Sequence, residues 1–148
     1  MTNKRQLNPH IDILLAEDNP GDVILMQEAF HDTGLLHTLH SVPDGEQALD
    51  FLYKRGAFAM AATPHFVMLD LNMPKHNGYH VLETIKSDPA LKHIPVAVIS
   101  SSKAPSDIKR CYSLHANSYI SKPQSLDDLG YLAEAITRFW FHCVLLPA

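Results

Sequence analysis

The chain is short of cysteine, of long apolar runs and of positive charge, and each shortage closes a class of function. Its two cysteines, Cys111 and Cys143, form no Cys-x-x-Cys pair and supply no disulfide framework, which fits reduced thiols in a cytoplasmic protein. No apolar run approaches the ~20 residues that cross a bilayer, so no membrane role is expected. The polar opening MTNKRQLNPH lacks the apolar centre of a signal peptide. A formal net charge of −4 leaves no broad basic surface for nucleic acid. Repeats, low-complexity tracts and long linkers are missing too. Histidine is the exception, with ten residues scattered along the chain. His76 and His80 are spaced to share a helix face as metal ligands do, but no cysteine or third ligand lies nearby, and a solvated face is expected.

What is there reads as one domain. The 148 residues, 46% of them apolar, are enough to bury a core without staples. An apolar run followed by an amphipathic run recurs five times. The strand candidates are Ile11–Ala16, Leu36–Val42, Phe66–Asp70, Ile94–Ser100 and Ser118–Ser121. Three of them, IDILLA, FVMLD and PVAVIS, are almost continuously apolar, as strands covered on both faces of a parallel sheet must be. Between them the period lengthens. Val23, Met26 and Phe30 recur at helical spacing, with Pro20 suited to the first turn. Asp44 is placed to cap a helix carrying Ala48, Leu49 and Leu52. Val81, Leu82 and Ile85 form a stripe that ends before Pro89. Ser106 is expected to cap a fourth helix through Ile108, Cys111 and Leu114, and Ser125 with Asp128 has capping-box spacing for a fifth. Strict alternation of this kind predicts a doubly wound α/β fold with a five-stranded parallel sheet and five helices.

In such folds ligands sit beyond the carboxyl ends of the strands, so the residues that follow each strand belong to one rim. The first strand delivers Glu17 and Asp18, the third ends at Asp70 with Asn72 two residues on, the fourth ends at Ser100, and the fifth delivers Lys122 before Pro123. Two carboxylates about 4 Å apart repel by roughly 4 kcal/mol at an effective dielectric of 20. Relief must come from raised pKa values, water, Lys122 or a divalent cation. Hard oxygens without imidazole or thiolate favour Mg²⁺ (or Mn²⁺), held by carboxylates together with water and a phosphate. Asp70 is then a candidate nucleophile toward phosphorus. The metal, Lys122 and the Ser100 hydroxyl offer one partner to each of three phosphoryl oxygens.

These motifs, in this order and register, resemble the receiver domains of bacterial response regulators across about residues 11–141. The resemblance rests on the acidic pair Glu17–Asp18, LDLNMP around Asp70, Ser100 after an apolar strand, Tyr119, and Lys122–Pro123. It implies a flavodoxin-like sheet of strand order 2-1-3-4-5. It further implies Asp70 as phosphoacceptor, Glu17 and Asp18 as metal-site acids with Asp18 the direct ligand, and the backbone carbonyl of Asn72 completing the metal site. Ser100 is implied as the hydroxyl that follows the phosphoryl group, Tyr119 as the aromatic that changes burial with it, and Lys122 as the site lysine. A cis Lys122–Pro123 bond is implied as well. Ser101 stands where the family has a small residue, and Ser102 is read as a loop hydroxyl or cap. The segments EDNPGDVILMQEAF, YKRGAFAMAATPH, LHANSYISKPQSLDDL and FWFHCVLLPA narrow the resemblance to cyanobacterial phytochrome-associated regulators. That implies a phytochrome-type sensor histidine kinase as partner and no enzymatic activity beyond the domain's own phosphorylation and dephosphorylation.

The last helix carries more apolar surface than one stripe needs. Leu129, Ala133, Ile136 and Trp140 are expected to cover the sheet. Tyr131, Leu132, Ala135, Phe139 and the apolar extension 139–148 are left over, which points to a symmetric homodimer. Output by protein contact is expected, since no effector domain has room after the fifth helix. Three other functions compete. A non-phosphorylated pseudo-receiver is opposed by the retained acids, Ser100 and Lys122. A flavin carrier would need a hydroxyl- and glycine-rich turn where EDNPGD stands. An aspartyl-phosphate phosphatase would need a second acid where Asn72 stands.

Overall fold

The computed structural model describes residues 10–73, 75 and 77–147. Five strands, β1 (Ile11–Ala16), β2 (His37–Val42), β3 (Phe66–Asp70), β4 (Val96–Ser100) and β5 (Ser118–Ser121), form one sheet in the order β2-β1-β3-β4-β5. Every pairing is parallel. Helices α1 (Pro20–Asp32), α2 (Gly45–Tyr53), α3 (Gly78–Ser87), α4 (Pro105–Ser113) and α5 (Leu126–Ile136) connect or follow them. The expected architecture and strand order are both present.

Alternation along the apolar strands explains why they are apolar throughout. Leu14, Ala16, Val67, Leu69, Val96 and Val98 face one way and pack with α2, α3 and Cys111 of α4. Ile13, Leu15, Phe66, Met68, Ala97 and Ile99 face the other way, against Met26 and Phe30 of α1 and Ala133 and Ile136 of α5. All five residues of β3 and of β4 are buried. The central strands therefore have no solvated face on which a polar residue could sit, and Asp70 is polar only where β3 runs out.

The helix starts follow local chemistry. Asn19 Oδ1 accepts from the Asp22 N–H with Pro20 at the first position of α1, and Asp44 Oδ1 accepts from the Gln47 N–H at the start of α2. Ser125 Oγ accepts from the Asp128 N–H at the start of α5. Ser106, expected as a cap, instead lies inside the first turn of α4. Pro105, whose ring already fixes a helical φ, takes the first position after Ala104, and no side chain caps that helix. β4 begins at Val96 because the Ile94 N–H is spent in a turn to Leu91 and Pro95 has no N–H for the ladder. β2 begins one residue later than expected, at His37.

Three further expectations are corrected. Every peptide bond among the described residues is trans, Lys122–Pro123 included. The two isomers of an X–Pro bond differ by only about 0.5–1 kcal/mol, so the residue pair alone does not select one. The last helix does not continue as an α-helix. It widens into a π-helical segment, Thr137–Cys143, whose i→i+5 geometry turns both Trp140 and Phe141 against Phe66, at ring separations of 5.4 and 5.5 Å. Leu132, expected on the outer side, packs partly against the sheet. His76, expected to share a helix face with His80, lies outside the described residues. No helix among the described residues is long and apolar enough to cross a membrane.

Candidate phosphoryl and metal site

The rim at the carboxyl ends of β1, β3, β4 and β5 gathers the residues that the sequence scatters over more than a hundred positions. Glu17 follows β1 directly, and its N–H donates to the Val42 carbonyl at 3.0 Å, which fixes the chain at the strand end. Its carboxylate is buried, as is that of Asp70, while Asp18 is exposed. Oxygen atoms of Glu17, Asp18 and Asp70 lie within 4.8 Å of one another, the one such cluster of potential metal ligands among the described residues. The donors are all carboxylate oxygens, which suits a small hard divalent cation such as Mg²⁺ or Mn²⁺ and offers nothing to a soft one.

One ammonium serves the two buried acids and Asp22. Lys122 Nζ is 3.1 Å from Asp70 Oδ2, 3.1 Å from Glu17 Oε1 and 3.7 Å from Asp22 Oδ2. Burial alone would lower the Lys122 pKa, but its bonds to Asp70 and Glu17 outweigh that and hold it above the usual lysine range. Glu17 is pushed the opposite way from a normal ion-paired acid. Burial and the nearby Asp70 charge raise its pKa, and Lys122 and the Asn19 N–H only partly offset them. The carboxylates outnumber their counter-charge, and a divalent cation would supply the difference.

The local backbone aims Asp70. Its Oδ1 accepts from the Asn72 N–H at 3.0 Å and its Oδ2 from Lys122, so both oxygens have fixed directions. Just beyond, the chain doubles back so that the start of α3 presses on it. The Gly78 N–H donates to the Leu71 carbonyl at 2.9 Å, and a Cβ at Gly78 would stand 2.5 Å from the Asp70 carbonyl oxygen and 2.6 Å from Leu71 Cα. Only glycine fits that approach. Sequence reasoning missed Gly78 as part of the site, although Asn77-Gly78 is a turn signal eight residues after the acid. It also missed Asp22, the third carboxylate beside Lys122.

Ser100 is fully buried at the end of β4, level with Ser121 of β5. The Lys122 N–H donates to the Ser100 carbonyl at 2.8 Å and locks the two strand ends together. The Ser100 hydroxyl accepts from the Ser102 N–H at 3.1 Å, and the half-buried Tyr119 donates its hydroxyl to the Ser102 carbonyl at 2.7 Å. Beside Asp70 and Lys122 a cavity of about 390 Å³ runs between α1 and α5, lined by Leu25, Met26, Ile99, Leu126 and Leu129 among others.

Comparison with known proteins points to one family. A family model described as the response regulator receiver domain matches residues 13–134. The response regulator Rcp1 of Synechocystis sp. is 40% identical over 141 residues, covering 95% of this chain and 96% of that one. Two solved structures superpose closely. The phosphorylated cyanobacterial phytochrome response regulator RcpA has 42% identity, covers 95% of this chain and 100% of its own, and gives a TM-score of 0.90. The Mn²⁺-bound form of Rcp1 has 39% identity, with 93% and 99% covered, at a TM-score of 0.87.

Proposed function

The chain belongs to the response regulator receiver domain family, a family of phospho-accepting signalling modules rather than enzymes for external substrates, and from that membership we propose how its own residues carry the switch. Asp70 accepts the phosphoryl group. One carboxylate oxygen attacks phosphorus in line, the O–P bond forms as the donor's P–N bond breaks, and the electron pair returns to the donor imidazole. Lys122 is the cation that meets the incoming group and steadies its developing charge. Glu17, Asp18, Asp70 and the carbonyl of Asn72 would hold a divalent cation, which would supply the remaining charge neutralisation. Ser100 donates its hydroxyl to a phosphoryl oxygen, and Tyr119 carries the change to the surface. The observation that carries this reading is Asp70 itself: a buried strand-end acid with one oxygen on Lys122, the other on the Asn72 N–H, and two more carboxylates within 4.8 Å.

The donor is a sensor histidine kinase of phytochrome type, working with this chain in the cytoplasm. The relatives named above support that pairing, and the apolar cavity between α1 and α5 gives a histidine-bearing segment a path to Asp70. Output is by protein contact. The exposed Tyr131, Phe139 and Leu145 favour a symmetric homodimer through the C-terminal helix and its extension, with the receiver acting as one unit.

The test is phosphotransfer from a phytochrome-type kinase to wild type and Asp70→Asn in Mg²⁺, with the oligomeric state sized before and after. Labelling is expected in wild type and absent from Asp70→Asn and from EDTA-treated protein. A variant that still labels would remove Asp70 from the reaction, and a monomer at every concentration would remove the dimer.

A further inference from the structure

Ser102 sits two residues past Ser100, and every one of its polar groups is engaged. Its N–H goes to Ser100 Oγ, its carbonyl receives the Tyr119 hydroxyl, and its own hydroxyl donates to Asp107 Oδ2 at 2.6 Å while accepting from the Ala104 N–H at 3.2 Å. Asp107, in the first turn of α4, is held in turn by α3, because the Tyr79 hydroxyl donates to its Oδ1 at 2.7 Å. The Arg110 guanidinium lies 3.8 Å from the centre of the Tyr79 ring and fixes that ring from the outside. One carboxylate thus ties the loop after β4 to two helices, α3 and its own α4, and Tyr119 ties the same loop to β5.

The consequence falls on a single proton. A serine hydroxyl has one hydrogen to give and two lone pairs to receive. At Ser100 the Ser102 N–H occupies a lone pair, so the hydroxyl is engaged as an acceptor and its hydrogen is left to give. If the loop relaxes, Ser102 swings away and the Ser100 hydroxyl loses the contact that orients it. We propose that Asp107 is a positioning residue for the phosphoryl site: through Ser102 it holds the Ser100 hydroxyl turned to donate, and Tyr79 holds Asp107. Burial and the bond to Asp107 raise the Tyr79 pKa, and the bonds from Ser102 and Tyr79 lower that of Asp107, as a charge-assisted pair requires. The inference rests on the reading of Ser100 as a phosphoryl contact.

The experiment uses beryllofluoride, a phosphoryl mimic, titrated into the full chain in Mg²⁺ and followed by the amide NMR signals of the β4–α4 loop. Asp107→Ala is expected to raise the midpoint about three- to tenfold and Tyr79→Phe about two- to threefold, the range for one or two net hydrogen bonds. Ser100→Ala also raises the midpoint, and adding Asp107→Ala to it produces no further change. A merely structural role for Asp107 would weaken binding equally in the Ser100→Ala background, and that result overturns the proposal. So does an unchanged or lowered midpoint in both Asp107→Ala and Tyr79→Phe. Failure of the underlying reading shows separately, as a Ser100→Ala midpoint equal to that of wild type. Tyr79→Phe removes one oxygen atom and keeps the ring under Arg110, so it remains informative if Asp107→Ala does not fold.

Discussion

Asp12 and Asp70 stand on adjacent strands at opposite ends of the sheet, and their surroundings differ in kind. At the amino end, Asp12 Oδ1 lies 2.9 Å from His40 Nε2 and 3.9 Å from His10 Nε2, while the His10 ring reaches Thr38 Oγ1 at 2.7 Å. The Asp12 N–H donates to His65 Nδ1. One acid there has imidazoles to spare. At the carboxyl end, about 16 Å away along β1, Glu17, Asp70 and Asp22 share the ammonium of Lys122, and Asp18 lies beside the first two. A chain folding only for stability would not leave three carboxylates within 4.8 Å of each other in a half-buried rim. The imbalance persists because the site is completed by something the polypeptide does not contain. The amino end supports the fold, and the carboxyl end works against it in order to function.

The sharpest way to test this contrast is to remove the shared cation. Lys122→Ala is expected to lower the rate of phosphorylation by acetyl phosphate about 10²–10³-fold, the usual loss when one donor to a developing oxyanion is deleted. It should also lower the melting temperature in EDTA, since the carboxylates are then unopposed, and Mg²⁺ should restore part of the loss. A rate within a factor of a few of wild type would show that Lys122 is only a structural counter-ion.

Next in size is the packing that aims Asp70. Gly78→Ala puts a methyl group against backbone atoms that have nowhere to go. Overpacking of this kind costs about 1–3 kcal/mol, and it should appear as a lower midpoint in chemical denaturation together with slower labelling of Asp70. Unchanged stability and full labelling would mean that the loop after β3 tolerates displacement. This site residue was hidden in the sequence for a physical reason. A glycine that permits a close approach has no side chain to advertise, and its role depends on where two distant backbones meet. Asp70, Glu17, Asp18, Ser100 and Lys122 could be placed on one rim from the sequence because each ends or follows a strand, and the parallel topology sends all strand ends to the same side. The central strands β1, β3 and β4 were legible because burial on both faces demands apolar residues at almost every position. What stayed hidden turned on near-degenerate local choices. Pro105 rather than Ser106 opens α4, the Lys122–Pro123 bond is trans, and the last helix loosens into π turns to bring Phe141 onto Phe66. Such choices are local and are settled by packing.

A smaller effect of opposite sign follows from Glu17. Its raised pKa means that the folded state binds the proton more tightly than the unfolded chain does. Its contribution is therefore fully present below the unfolded value of 4.5 and is lost as pH rises through the folded value. Glu17→Gln, which cannot ionise, should match wild type in acid and become the more stable of the two as pH approaches neutrality, in EDTA. One kcal/mol at this chain length moves Tm by about 2–4 °C, and thermal melts across the acid-to-neutral range would resolve it. If wild type were the more stable at neutral pH, Lys122 would have to outweigh both burial and Asp70, and the imbalance drawn above would be wrong.

The smallest effect belongs to the amino end and completes the comparison. Asp12→Asn keeps the shape of the side chain and removes only its charge, so the contact with His40 weakens but the backbone bond from the Asp12 N–H to His65 remains. Partly exposed pairs of this kind are worth about 0.5–1 kcal/mol. The variant should therefore lose that much stability in denaturant titration while labelling at the wild-type rate. Paired with Glu17→Gln, it gives the two ends opposite signs: neutralising an acid destabilises where partners are plentiful and stabilises where they are shared. An Asp12→Asn protein that labelled slowly would break the division, because it would require strain to pass along β1 from Asp12 to Glu17 through a strand whose residues are packed on both faces.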